Sequence, residues 1–218
     1  MAGTPPRSVP CVGCGGLFPD VEGPTHPYLE SSPGCAAACG EVFACRYGDM
    51  PFYGDVCRLA NDAYAVQHPG GRSRQAIQSV GIHLVRLCLV LEYGLPPERA
   101  NDAALAAARR KWEFVWLERP SEMGPITVAD FRRPLSGAEH KAHLRARARS
   151  AWEAWSRHHA TTRSRLPAGW GGAFPDGPAG PDRAESLAER PAPTGLPRHG
   201  FSVNSGPETQ DWRKTRFP

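Results

Sequence analysis

The sequence predicts an all-α protein: a helical bundle of about five helices, an irregular N-terminal segment resembling a zinc knuckle, and a disordered C-terminal tail. Three observations carry this. Glycine and proline punctuate residues 1–34 every few positions, which favours turns over regular elements. Helical signals dominate residues 35–166. Residues 167–218 are rich in Pro and Gly, lack sustained apolar periodicity, and balance six basic against six acidic residues. Such a segment buries too little apolar surface to offset its ordering entropy, so it is expected to be disordered. The expected division is therefore a metal-binding segment packed on the core (1–34), a helical core (35–166) and a tail (167–218).

Within the core, an Ala-rich helix is expected over 35–47, entered through Ser31-Ser32-Pro33-Gly34. A second helix over 54–67 stops sharply at His68-Pro69-Gly70-Gly71. Ser73 is a good N-cap for a third helix reaching Tyr93, with Gly94 as its C-terminal signal. That helix is apolar on most sides, the mark of a central, buried element. Pro96-Pro97-Glu98 opens a fourth helix to about Lys111, while 112–117 is ambiguous between its continuation and an extended piece. Residues 127–130 form a short capped turn. Ser136-Gly137-Ala138-Glu139 is a capping box and starts the longest helix, to about Arg165. At helical spacing Leu144, Ala148, Ala151, Trp155, His159 and Thr162 share one of its faces, with Trp152 at the edge.

Composition narrows the classes further. The N-terminus has no apolar signal region, and the most apolar run, 82–91, contains His83 and Arg86 and is too short to span a bilayer. Seven cysteines, an odd number, point to reduced thiols and metal ligands rather than a disulfide framework. A cytoplasmic protein without a membrane partner is expected. The net charge of +4 owes much to arginines between 141 and 165, a pattern more often a solvated helix face than an acidic partner's footprint.

The chemical signals begin with Cys11-Val12-Gly13-Cys14. Two thiols at this spacing reach one ion from a tight knuckle, and Gly13, Gly15 and Gly16 suit its turn. Cys35 and Cys39, four apart on the first helical turns, can face the same side, and His26 is the rival for fourth ligand. Zinc is the expected ion. The plainer alternative makes Cys35, Cys39 and Cys45 small packing residues. Four protein ligands close a tetrahedral shell, so a structural role is favoured over a catalytic one.

A second constellation lies on the helices. Cys57, Asn61, Tyr64 and His68 stack on one face, His83 sits on the apolar third helix, and His158-His159 lies beside Trp155 on the last. Histidines from several helices can converge on a metal or supply a general base. The plainer reading has His68 bonding a turn carbonyl and His83 a satisfied core histidine. His158 and His159 project about 100° apart and do not readily serve one site. There is no GxSxG elbow, Walker loop, Rossmann fingerprint or HExxH to support serine hydrolysis or nucleotide chemistry.

Several strings taken together, CxxCGGLFPD, GPTHPYLESSPGC, DAYAVQHPG, IQSVGIHLVRLCLVLE, TVADF and AWEAWSRHHAT, resemble an uncharacterised bacterial group, domain-of-unknown-function family 5946. The likeness runs from about Cys11 to Thr162. It brings no established activity. It does give weight to Cys11, Cys14, His26, Cys35, Asp62, His68, His83 and His159, which match the family's polar pattern. The chain departs from it at Cys57, where relatives have histidine, and at Cys39, where an aromatic is usual. The resemblance thus favours His26 over Cys39 as fourth ligand.

Three functions follow in order of support. The first is a zinc-binding helical protein whose metal is mainly structural, held by Cys11, Cys14, His26 and Cys35. The second is a metal- or histidine-dependent enzyme of unknown reaction, with an inter-helical pocket lined by Asp62, His68, His83 and His159 that admits a small-molecule ligand. The third is a nucleic-acid or protein adaptor, the least favoured because no aromatic platform accompanies the arginines.

Overall fold

The computed structural model describes residues 7–47, 50–131 and 137–166. Within them lie six helices and one small two-stranded sheet. Strands β1 (Ser8–Pro10) and β2 (Leu17–Pro19) pair antiparallel, Val9 opposite Phe18, and so hold out the Cys11–Gly16 turn between them. Helix α1 spans Pro33–Tyr47, α2 Met50–Gln67, α3 Arg74–Leu91, α4 Pro97–Ala108, α5 Gly137–Ala154 and α6 His159–Arg163. The all-α expectation holds, and the hairpin is the regular part of an otherwise irregular N-terminus. The expected tail over 167–218 and Ser136 of the capping box lie outside the described residues.

Local chemistry accounts for most boundaries. The Ser73 side chain accepts a hydrogen bond from the Ala76 amide at 3.2 Å, satisfying a donor that has no partner within α3. Beyond the other end of α3, Gly94 adopts φ 65°, a left-handed conformation that glycine enters without penalty. Pro97 begins α4, where its missing N–H is not needed. The ambiguous stretch after α4 is a single 3-10 turn, Lys111–Glu113, followed by extended chain. The short turn expected at 127–130 is the 3-10 turn Val128–Phe131, closed by the Asp130 carboxylate, which accepts from the Thr127 amide at 2.8 Å.

The long last helix does not run unbroken. It ends at Ala154, passes through a 3-10 turn, Ser156–His158, and resumes as α6. No glycine or proline causes this. The Trp155 indole donates to the Val66 carbonyl at 3.1 Å, fixing Trp155 against α2, and its amide takes the Trp152 carbonyl three residues back at 3.0 Å. The His159 ring supplies a second donor to the Trp152 carbonyl at 2.9 Å and stacks on the Trp152 indole, centroids 3.7 Å apart. Side chains thus take over a carbonyl that a continuous helix would bond through its own backbone.

Helix α2 divides the interior. Leu59, Ala63 and Val66 on one stripe join an aliphatic cluster with Leu84, Leu87 and Trp152. Val56, Ala60 and Tyr64 on another stripe join a second cluster built around Cys11, Cys14, Cys35, Phe18 and Phe131. The sets follow the three- and four-residue spacings of helix faces. No helix among the described residues is long and apolar enough to cross a membrane.

Candidate metal centre

The knuckle is shaped by its backbone. The Cys11 amide donates to the Gly16 carbonyl at 2.8 Å and the Gly15 amide to the Cys11 carbonyl at 2.9 Å, with Gly15 at φ 75°. Gly13 packs so closely that a Cβ there would collide with the Glu30 carbonyl and the His68 ring. From outside, the Arg119 guanidinium donates to the Val12 and Gly13 carbonyls at 3.0 and 2.9 Å. The loop before α1 closes the site: the Ser32 amide donates to Cys11 Sγ at 3.3 Å, and Ser32 Oγ accepts from the Cys35 amide, capping the helix that carries Cys35.

Against this knuckle α2 brings its C-terminal residue stripe. The Glu30 amide donates to the His68 carbonyl at 3.2 Å, and Leu29 bridges to Pro69. His68 Nδ1 donates to the Tyr64 carbonyl at 2.6 Å, which leaves Nε2 as the basic nitrogen. That nitrogen lies 3.3 Å from Cys35 Sγ, and Cys14 Sγ lies 3.9 Å from Cys35 Sγ. The ligand atoms of Cys11, Cys14, Cys35 and His68 all fall within 4.8 Å of one another, and all four residues are buried.

These separations suit an ion. Zinc–sulfur bonds of about 2.3 Å in a tetrahedron imply sulfur–sulfur edges of about 3.7 Å. A histidine whose second nitrogen is fixed on a backbone carbonyl is the usual second sphere of a metal-bound imidazole. The sulfurs also perturb one another strongly. Hydrogen bonds from Cys14 and then Cys35 hold the Cys11 thiol far below its ordinary range. The reciprocal bond to Cys11 pushes Cys14 up to about 11, and Cys11 and Cys14 together drive Cys35 well above the ordinary thiol value.

Of the four residues expected as ligands, the structure brings Cys11, Cys14 and Cys35 together; the fourth member of that group is His68, and His26 lies outside it. His26 packs edge-on against Tyr28, centroids 4.2 Å apart, with Nδ1 buried and without a hydrogen-bond partner. Cys39, one turn beyond Cys35, is buried but outside the group of four. The four residues expected to line one pocket are shared among three places. His68 belongs to the thiol group. Asp62, 1 % exposed, accepts from His83 Nδ1 at 2.7 Å and Arg86 Nε at 2.8 Å between α2 and α3. His159 lies on Trp152, its Nδ1 3.6 Å from Glu92, which Arg163 grips through two hydrogen bonds. His158 donates to the exposed Glu118 carbonyl. No second group of three or more metal-ligating side chains occurs among the described residues.

Fold and site together define a small helical protein with a buried Cys3His group able to hold a metal ion. The chain belongs to the family described as "Family of unknown function (DUF5946)", whose model matches residues 9–156, from β1 through α5 to the turn that follows. No curated protein and no solved structure matches the chain.

Proposed function

We propose that this protein binds one zinc ion through Cys11, Cys14, Cys35 and His68, and that the ion's role is structural. The observation that carries the reading is the convergence of four buried ligand residues from three separate segments: the knuckle, the first turn of α1 and His68, the residue that follows α2. Three thiolates and an imidazole match zinc's preference for sulfur and nitrogen and fill its tetrahedron, leaving no position for substrate. The ion would tie the N-terminal loops to the bundle. Thiolate ligands require a reducing compartment, which supports a cytoplasmic location.

Elemental analysis of purified protein tests this, with circular dichroism before and after removal of metal by a strong chelator. One zinc per chain, and loss of N-terminal structure on chelation, is the expected result. Absence of stoichiometric zinc, with folding indifferent to the chelator, would overturn it.

A further inference from the structure

Arg147 is an anomaly in the core. Its guanidinium stays charged in proteins, yet the residue is fully buried. Nε and Nη2 both donate to Gln67 Oε1, at 3.0 and 2.9 Å, and that acceptor is neutral. The rings of Tyr64 and Phe131 flank it, each 5.9 Å from the guanidinium carbon, and Nη1 is buried with no hydrogen-bond partner. Among the described residues no carboxylate forms an ion pair with it. A buried charge without compensation destabilises a fold, so its counter-charge has to be sought nearby.

The route to one is short. Gln67, which holds the guanidinium, adjoins His68 in the chain. The Tyr64 ring that Arg147 overlies sits 4.1 Å from the His68 ring, and His68 Nε2 is 3.3 Å from Cys35 Sγ. Burial disfavours the Arg147 cation, and thiolate charge on Cys39, Cys14 and Cys35 would favour it. A divalent ion held by three thiolates and one neutral imidazole carries one net negative charge. We propose that Arg147 is the built-in counter-cation of this centre, neutralising it and matching it to a divalent rather than a monovalent ion. The inference rests on the metal reading above and adds a residue to it that coordinates nothing.

The test is a double-mutant comparison of zinc affinity, measured by competition with a chromophoric chelator. Four proteins are needed: wild type, Arg147→Met, Cys14→His and the double variant. Cys14→His turns the centre into a Cys2His2 site whose zinc complex is neutral. Arg147→Met is expected to weaken zinc binding about tenfold or more in the Cys3His centre and less than about threefold beside Cys14→His. Arg147→Lys, which keeps the charge and loses the fork, is expected to stay within about threefold of wild type. Equal losses in both backgrounds, or a lysine variant as weak as the methionine one, would show a packing role and overturn the proposal. If Arg147→Met is recovered unfolded, restoration of folding by Cys14→His supports the proposal, and failure to restore it overturns it. Wild type that takes up no zinc would instead overturn the metal reading itself.

Discussion

The two buried clusters on either side of α2 are held together differently. The aliphatic side is built from Leu, Val, Ala and aromatic residues of α2 to α5 and the loops between them, and polar groups beside it pair with one another: the Trp155 indole with the Val66 carbonyl, Glu92 with Arg163. Each large side chain buried there contributes about 1.5–3 kcal/mol with no help from outside. The cysteine side buries four thiols, an imidazole and a guanidinium among far fewer large apolar groups. Polar and charged groups in a dry interior destabilise it unless they are satisfied. One half is stable by burial, whereas the other is a socket whose stability depends on what fills it.

The contrast is broken most directly at Cys35. Cys35→Ser is expected to abolish stoichiometric metal, because a structural zinc contributes on the order of 10 kcal/mol to the segment it folds. Hydrogen exchange should then rise at the Cys11 and Gly15 amides while those of the Leu84–Leu89 stretch of α3 stay protected. Simultaneous loss of protection on both sides would show one cooperative unit. His68→Ala should behave like Cys35→Ser, and His26→Ala should retain its metal.

Leu87→Ala tests the other half. It removes a fully buried side chain from the aliphatic cluster, so a loss of about 2–5 kcal/mol is expected by urea unfolding, with zinc affinity unchanged. Gly13→Ala should act in the reverse sense. The added methyl meets the Glu30 carbonyl and the His68 ring, and a loss of about 1–3 kcal/mol is expected together with weaker metal binding. A Gly13→Ala protein that melts earlier yet binds zinc as tightly as wild type would uncouple the knuckle's packing from its ligand geometry.

The same contrast explains what could be read from the sequence. Residues whose role follows from local spacing were legible: the Cys11–Cys14 pair, Cys35 at a helix start, the apolar α3, the Ser73 cap. His68 was legible as a member of the Cys57, Asn61, Tyr64, His68 stripe and as a donor to a turn carbonyl, but its neighbours were not. Which loop meets that stripe is decided by the Glu30–His68 and Leu29–Pro69 contacts, which bring the knuckle to His68 while His26 turns towards Tyr28. Arg147 was masked by the arginines around it. Its spacing of three from Leu144 and four from Ala151 places it on the buried face, and that signal was available. The break after Ala154 had no local signal at all, since it depends on tertiary bonds of Trp155 and His159.

Acidification gives the smallest expected effect and separates the two halves by mechanism. On the cysteine side, protons compete with metal for the thiolates, so any loss of stability should accompany metal release. Beside Asp62 no group of metal-ligating side chains gathers among the described residues. Burial holds His83 below the ordinary imidazole value of 6.5, Asp62 acting in the opposite sense and Arg86 reinforcing the burial. Burial does the same to His26, and protonation of His83 would reinforce it. The unfolded chain therefore takes up protons below pH 6.5 that the folded chain refuses, so stability present above that pH is lost as pH falls through it. Thermal unfolding between pH 7.5 and 5.5, followed with a metal-sensitive dye, should show a decline that begins before zinc appears in solution. His26→Gln with His83→Gln should flatten that early part and leave the later, metal-linked part in place. A decline that tracks zinc release throughout, and that the glutamine variants leave unaltered, would assign the whole acid response to the cysteine half.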